Sequence, residues 1–187
     1  VAVAIDQINE LRRQVDDDNL SGLLNRRGFE AQANTALRSC LDEDCAVALM
    51  IADLDHFKSI NDNHGHAVGD AIIAAFGAHV RLIGPPGMIA GRIGGEEFAL
   101  LVPGAGIEAA RRLAEAVRKG LAAACADRIP AKLCPTTSIG IAIGAPGTGL
   151  SALMADADQA LYEAKRTGRN RVRAFTPKPV RLAANGG

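Results

Sequence analysis

The chain has 187 residues, 48% of them hydrophobic, with 21 Lys plus Arg against 21 Asp plus Glu. That length suits one domain with a short appendage, and that hydrophobic share fills a real core. The charge balance gives no global argument for nucleic acid or an anionic membrane as partner, and no uninterrupted apolar run reaches the roughly 18 residues that span a bilayer.

With no Trp and one Tyr, the core has to be aliphatic. Cys40, Cys45, Cys125 and Cys134 form no CxxC pair and no zinc spacing, so four reduced thiols in a cytosolic protein are predicted. There is no signal-peptide pattern. The chain starts at Val1, and the expectation is a piece of a longer protein whose sensor or membrane segment lies upstream.

Val1, Ala4, Ile8, Leu11 and Val15 follow a/d heptad spacing, so residues 1–17 are expected as a helix. It either pairs as a short coiled coil or packs on its own domain. The run Asp16–Asp18 reads as a solvated helix end. A helix is predicted over Asn25–Leu41, with Phe29, Ala33, Ala36 and Leu37 on one face. Ala46–Ala52 is a short, bounded apolar run that fits a buried strand ending at Asp53. A polar turn (His56, Phe57, Lys58, Ser59) should follow it. A second helix spans Ala67–Ile83 and is stopped by the Gly84–Gly87 segment (GPPG).

Met88–Ile93 and Glu97–Val102 read as strands of a hairpin. Gly94–Gly95 between them predicts a primed turn with positive φ. A helix over Gly106–Ala126, a strand over Thr136–Ile143, a helix over Leu150–Arg166 and a last strand over Arg171–Phe175 complete the domain. Residues 176–187 read as a loose tail. The order β-α-β-β-α-β predicts an α+β fold: a ferredoxin-like, mostly antiparallel central sheet flanked by helices.

Two acidic spots stand out by position. Asp53 sits where a buried strand emerges, with Asp55 two residues on, and Glu96 and Glu97 follow the Gly94–Gly95 turn. If the two strands are neighbours, Asp53 and Glu96 converge, and converging hard oxygen ligands suit Mg²⁺. Strand-end carboxylates bonded to nearby backbone amides are the other reading. An EF-hand is rejected, because Phe57 and Lys58 stand where the loop needs Asp or Asn and then Gly. Backbone amides after Asp53 can cradle phosphate, and Lys58 adds a positive charge. Neither a P-loop nor a GxGxxG occurs.

His64-Gly65-His66 lacks a third ligand for zinc. Asp70, expected in the first turn of the next helix, is either helix-end chemistry or an acceptor for guanine's N1–H and N2–H₂ together. Lys165, Arg166, Arg169, Arg171 and Arg173 form either a solvated basic helix end or a phosphate clamp. No interleaved aromatics support a nucleic-acid patch there.

Taken together, four ordered blocks resemble the GGDEF-domain family of diguanylate cyclases. Arg92–Phe98 (RIGGEEF) is similar to the family's GG[D/E]EF signature. Asp18–Arg27 (DNLSGLLNRR) resembles its entry motif, with Ser21 in place of the usual Thr. Asp53–Asp70 resembles DxDxFKxxND followed by GHxxGD, and Ala155–Asn170 resembles the closing block ADxALYxAKxxGRN. The resemblance covers Asp18 to about Val172. It places a palm-type catalytic domain at residues 18–175, behind an N-terminal signalling helix.

The resemblance implies condensation of two GTP into cyclic di-GMP, one GTP per domain across a homodimer. Asp53 and Glu96 would hold Mg²⁺ (Mn²⁺ being the alternative ion), with the Leu54 carbonyl and Glu97 as further ligands. Glu96 would also accept the proton of the attacking 3′-hydroxyl, and Lys58 would stabilise charge on the triphosphate. Lys165 and Arg169 would grip the terminal phosphates. Asn61, His66 and Asp70 would position guanine, with His56 and Phe57 also at the substrate. Nucleic acid is not an expected partner.

The family's RxxD inhibition motif is missing here, since Gly84 follows Arg81 where Asp would stand, and His64 replaces a usual aromatic. The alternatives are a catalytically silent GTP- or cyclic di-GMP-binding regulatory domain and another palm-like nucleotidyl-transfer enzyme.

Overall fold

The computed structural model describes residues 16–176. The expected coiled-coil helix over residues 1–15 and the tail over 177–187 lie outside the described residues. The elements in chain order are β1 (Leu24–Asn25), α1 (Arg26–Asp42), β2 (Val47–Leu54), α2 (Phe57–His64), α3 (His66–Ile83), β3 (Ile89–Arg92), β4 (Glu97–Pro103), α4 (Ile107–Cys125), β5 (Thr137–Gly144), α5 (Leu150–Arg166) and β6 (Val172–Ala174).

β2 organises the sheet because every one of its eight residues is buried. A strand covered on both faces reads as a continuous apolar run, and VALMIADL does so until Asp53. Alternate side chains leave on opposite faces. Ala48, Met50, Ala52 and Leu54 enter one core with Ile72, Phe76 and Val80 of α3 and Ala114, Val117 and Leu121 of α4. Val47, Leu49 and Ile51 enter a second core with Phe29 and Ala33 of α1 and Leu153, Ala157 and Leu161 of α5. The result is a sheet between two helical layers.

The six strands run in the order β1-β3-β4-β2-β5-β6. β2 is antiparallel to β4 on one side and to β5 on the other, while β1 and β6 add parallel edges. The inner four, β3-β4-β2-β5, give the ferredoxin-like arrangement the element order predicted.

By length and mean hydropathy (18 residues, 1.2), α3 is the one described helix that could cross a membrane. In this fold its apolar side serves the core: seven of its residues are buried, and Phe76 packs on Phe98 with ring centroids 4.3 Å apart.

Several local expectations need correction. The segment after Asp53 is not a polar turn. His56 takes a left-handed φ of 57°, which breaks the strand and starts α2 at Phe57. Buried Phe57 and Ile60 give α2 its apolar side, a signal too short to stand out in the sequence. Asp70 lies just beyond the first turn of α3, which begins at His66. Neither Gly94 nor Gly95 has a positive φ, so the hairpin is not a primed turn. It closes through the Ile93 and Gly94 N–H groups, which both donate to the Glu97 carbonyl at 2.9 and 3.2 Å. A Cβ at Gly94 would meet the carboxylate at the far end of the Glu97 side chain.

The Asp16–Asp18 run is helical at Asp16 and exposed at Asp17, but its other two carboxylates are engaged rather than solvated. Asp16 pairs with Arg27 at 2.7 Å, and Asp18 accepts from the Ser21 N–H at 2.8 Å and from Arg92 at 3.2 Å. Burial alone would raise the Asp18 carboxyl, but the Ser21 and Arg92 hydrogen bonds hold it below the usual aspartate range.

β5 and α5 touch at Gly140, where a Cβ would collide with the Ala157 carbonyl and the Leu161 N–H. Backbone cannot step aside as a side chain can. Gly140→Ala should therefore cost about 1–3 kcal/mol, the usual range for overpacking a core. Urea denaturation checks this, and an unchanged midpoint would contradict the close packing.

Candidate active site

The site forms where β2 leaves the core. β2 and β4 are neighbours in the register Asp53↔Glu97, and the Leu54 N–H donates to the Glu96 carbonyl at 3.2 Å. This brings the two acidic spots of the sequence to one place. They border a cleft of about 550 Å³ lined by Asp53, Glu96, Lys58, Lys165, Arg169, His56 and Phe57, together with Ser59, Asp62 and Asn63. A cavity of that size accommodates a nucleotide. A slightly larger cleft, about 580 Å³, opens between the starts of α1 and α5, away from this cluster of charges.

Three cationic side chains therefore meet two converging carboxylates. Lys165, from the last turn of α5, places its Nζ 2.7 Å from Asp53 Oδ2. Burial pushes the Asp53 carboxyl up, Lys165 opposes that, and Glu97 and Asp55 add to it. Burial likewise raises Glu96, reinforced by the Asp53 charge and countered by Lys165. Carboxylates that crowd one another in a partly dry site call for a cation.

Among the described residues, no three His, Cys, Asp or Glu side chains close into a protein-only metal cage. Asp53 and Glu96 as hard oxygen donors, with room for phosphate oxygens between them and the cations, suit Mg²⁺, which takes one or two carboxylates and completes its shell with water and phosphate.

The start of α2 adds backbone donors. By helix geometry the first N–H groups have no partner within the helix, and Phe57, Lys58 and Ser59 border the cleft. Lys58 is exposed there. Arg169 reaches the cleft from a turn after α5 and has a left-handed φ of 59°.

The guanine candidates lie apart from this cleft lining. Asn61 ends against Gly69, where a Cβ would strike its Oδ1 and so spoil the crossing of α2 and α3. That Oδ1 is buried with no hydrogen-bond partner. His66 and Asp70 are exposed on α3. Leu54 is buried, and Glu97 follows Glu96 as the first residue of β4.

Two supporting residues escaped the sequence reading. Arg92 donates to the Gly95 carbonyl at 2.7 and 3.2 Å while paired with Asp18, so it ties the signature loop to the entry motif. Asp55 turns away from the cleft. It accepts from the Thr136 and Ser138 hydroxyls, each at 2.7 Å, and from the Asn170 N–H at 3.0 Å. Its spacing from Asp53 drew attention, but only the tertiary fold supplies its donors.

The raised carboxyls have a measurable consequence. A carboxyl whose folded-state pKa exceeds its unfolded one contributes stability below the unfolded value and loses it as pH rises through the folded value. Without divalent cations, Glu96→Gln should therefore melt above the parent protein at neutral pH. The gap should close as pH falls below about 4, near the ordinary glutamate value. A glutamine variant that melts lower at neutral pH would contradict the crowding of Glu96.

Comparison with known proteins identifies the family. Residues 15–171 match the family described as diguanylate cyclase, GGDEF domain. The chain is 38% identical over 170 residues to the diguanylate cyclase VdcA of Vibrio cholerae, covering 89% of this chain and 49% of that protein. It is 35% identical over 165 residues to the diguanylate cyclase DgcM of Escherichia coli K12, covering 88% and 40%. The chain thus spans about half the length of these relatives or less. Among solved structures it resembles the coiled coil and GGDEF domain of DgcB from Caulobacter crescentus in complex with c-di-GMP (TM-score 0.83, 29% identity, 92% of each chain). It also resembles the active GGEEF domain of a diguanylate cyclase from Vibrio cholerae (TM-score 0.76, 29% identity, 83% of this chain and 99% of that one). From its fold, its cleft and its matched residues, the chain belongs to the GGDEF-domain family of diguanylate cyclases.

Proposed function

We propose that this domain condenses two GTP molecules into cyclic di-GMP and two pyrophosphates. The observation that carries the reading is the convergence of Asp53 and Glu96 with Lys58, Lys165 and Arg169 around one cleft. Phosphoryl transfer asks for positioning and charge neutralisation more than for covalent help.

In this reading Lys165 and Arg169 hold the β- and γ-phosphates, and the N-terminus of α2 with Lys58 faces the triphosphate. Lys58 stabilises the charge that builds as the bond to pyrophosphate breaks. Glu96 accepts the proton of the 3′-hydroxyl, and the upward push on its carboxyl moves it toward the operating pH of a general base. Asp53, Glu96 and the Leu54 carbonyl would hold Mg²⁺ or Mn²⁺, with Glu97 in reserve. The bound ion would neutralise phosphate charge and polarise the α-phosphorus. Asn61, His66 and Asp70 position the guanine nucleotide in this reading, with Asp70 taking the N1–H and N2–H₂ pair.

Each 3′-oxygen attacks the α-phosphorus of the GTP held by the other domain, and each attack expels one pyrophosphate. Two copies must face each other, so a homodimer belongs to the proposal. So do a cytoplasmic location, where GTP is found, and regulation by an upstream sensor. The 18–175 span is the proposed catalytic unit.

Incubating the chain with GTP and Mg²⁺ at several protein concentrations tests this. Cyclic di-GMP identified by mass should form at a rate steeper than linear in protein, and EDTA or Glu96→Ala should abolish it. Lys58→Ala should lower kcat about 10²-fold or more, as loss of one preorganised transition-state donor does. GTP binding without product at any concentration would sink the catalytic reading. Arg81 is already engaged by the Ser21 carbonyl at 2.7 Å and has no Asp three residues on. Added cyclic di-GMP should therefore not inhibit through this segment, and inhibition relieved by Arg81→Ala would contradict that.

A further inference from the structure

Resting on the GTP reading above, we propose that Asp55 is a positioning residue whose carboxylate sets the Gly168–Asn170 turn and so aims Arg169 at the terminal phosphates. Asp55 is 3% exposed and does not border the cleft, so it does not touch the nucleotide itself. It joins three parts of the chain. Its own N–H donates to the Thr136 carbonyl at 2.8 Å, and its carboxylate takes both hydroxyls at the start of β5 and the Asn170 N–H.

That last bond falls on strained backbone. Arg169 and Asn170 have φ of 59° and 43°, a region non-glycine residues occupy only when their surroundings hold them. Asn170 is held from two sides. Asp55 takes its N–H, and Arg118 of α4 donates to its Oδ1 at 2.7 Å and its carbonyl at 3.3 Å. Arg169 itself is tied by its N–H to the Ala164 carbonyl at 3.0 Å and by its carbonyl to Arg171 at 2.8 Å. The turn is therefore fixed at both ends while the Arg169 side chain stays free to meet phosphate. The Asp55 carboxylate thus accepts both from Ser138 of β5 and from the Asn170 N–H of this turn.

The chemistry separates the role from mere bulk. Alanine at 55 strands two hydroxyls and one backbone N–H, and the N–H cannot rotate to find another partner. Asparagine can restore the arrangement, with its carbonyl oxygen on Thr136 and Asn170 and its amide on the Ser138 oxygen, which can turn to accept.

The experiment measures, on the full chain with Mg²⁺, the affinities of the non-cleavable guanosine 5′-(α,β-methylene)triphosphate and of GMP, which lacks the phosphates Arg169 would hold. Asp55→Ala should weaken the triphosphate about tenfold while leaving GMP within about twofold, as loss of a buried acceptor at this turn would do. Asp55→Asn should recover most of that loss. Adding Arg169→Ala to Asp55→Ala should weaken the triphosphate no further than Arg169→Ala alone. Equal weakening of both ligands, or asparagine as damaging as alanine, would overturn the inference. If Asp55→Ala does not fold, Arg118→Ala removes the opposite grip on Asn170. It should show the same selective loss, and an unchanged triphosphate affinity there would equally overturn the proposal. Failure of the unsubstituted chain to bind either nucleotide would instead overturn the GTP reading itself, and this inference with it.

Discussion

A carboxylate at the end of a fully buried strand has to be neutralised, and much of this molecule is arranged around that requirement. Asp53 is 5% exposed, at the point where β2 leaves two apolar cores. Lys165 meets it at 2.7 Å, which ties the last turn of α5 to the centre of the sheet. An ion pair this buried stabilises little, because desolvation offsets most of the attraction. Its value is geometric. It fixes the end of α5, and with it the turn carrying Arg169, against the strand that carries Asp53.

The neighbourhood of Asp53 is correspondingly uncomfortable. Glu96 precedes β4 and Glu97 opens it; the Glu97 charge pushes the Asp53 carboxyl up, and Asp53 and Glu97 both push up that of Glu96. A fold selected for stability alone would spread these groups apart. Crowding them stores repulsion that a bound cation would relieve. The cost is carried by the rigid sheet beneath, whose strands pair along the full length of β2 on both sides. Arg92 extends the same support outward by holding the Gly95 carbonyl while paired with Asp18, so the signature loop is braced from outside.

Much of this was legible in the sequence. The apolar run into Asp53, the helices expected over Leu150–Arg166 and Ala67–Ile83, and the ferredoxin-like order emerge because burial and periodicity act locally. The pairing of Asp53 with Glu96 could be stated only conditionally, since it depends on β2 and β4 lying side by side. What stayed hidden depends on distant partners or on single backbone angles. α2 is eight residues long and begins at a left-handed histidine, so no periodic pattern announces it. The glycines of the signature loop suggested a primed turn, and neither takes the positive φ that such a turn needs. Asp16 and Asp18 looked solvated until Arg27 and Arg92 were folded against them. Asp55 draws its donors from residues more than 80 positions away.

The margins of the sheet bear on how two such domains can meet. β1 has two residues and β6 has three; each pairs in parallel with a neighbouring strand, and Leu24 of β1 is further covered by an antiparallel bridge to Asp17. Edges that short offer another chain almost no row of free backbone groups on which to add a strand. A second copy therefore gains little by extending the sheet, and encounters along this rim stay brief. In the homodimer we propose, two copies would instead meet at the mouths of their clefts, and their association would follow effective concentration, set by tether and geometry, more than intrinsic affinity.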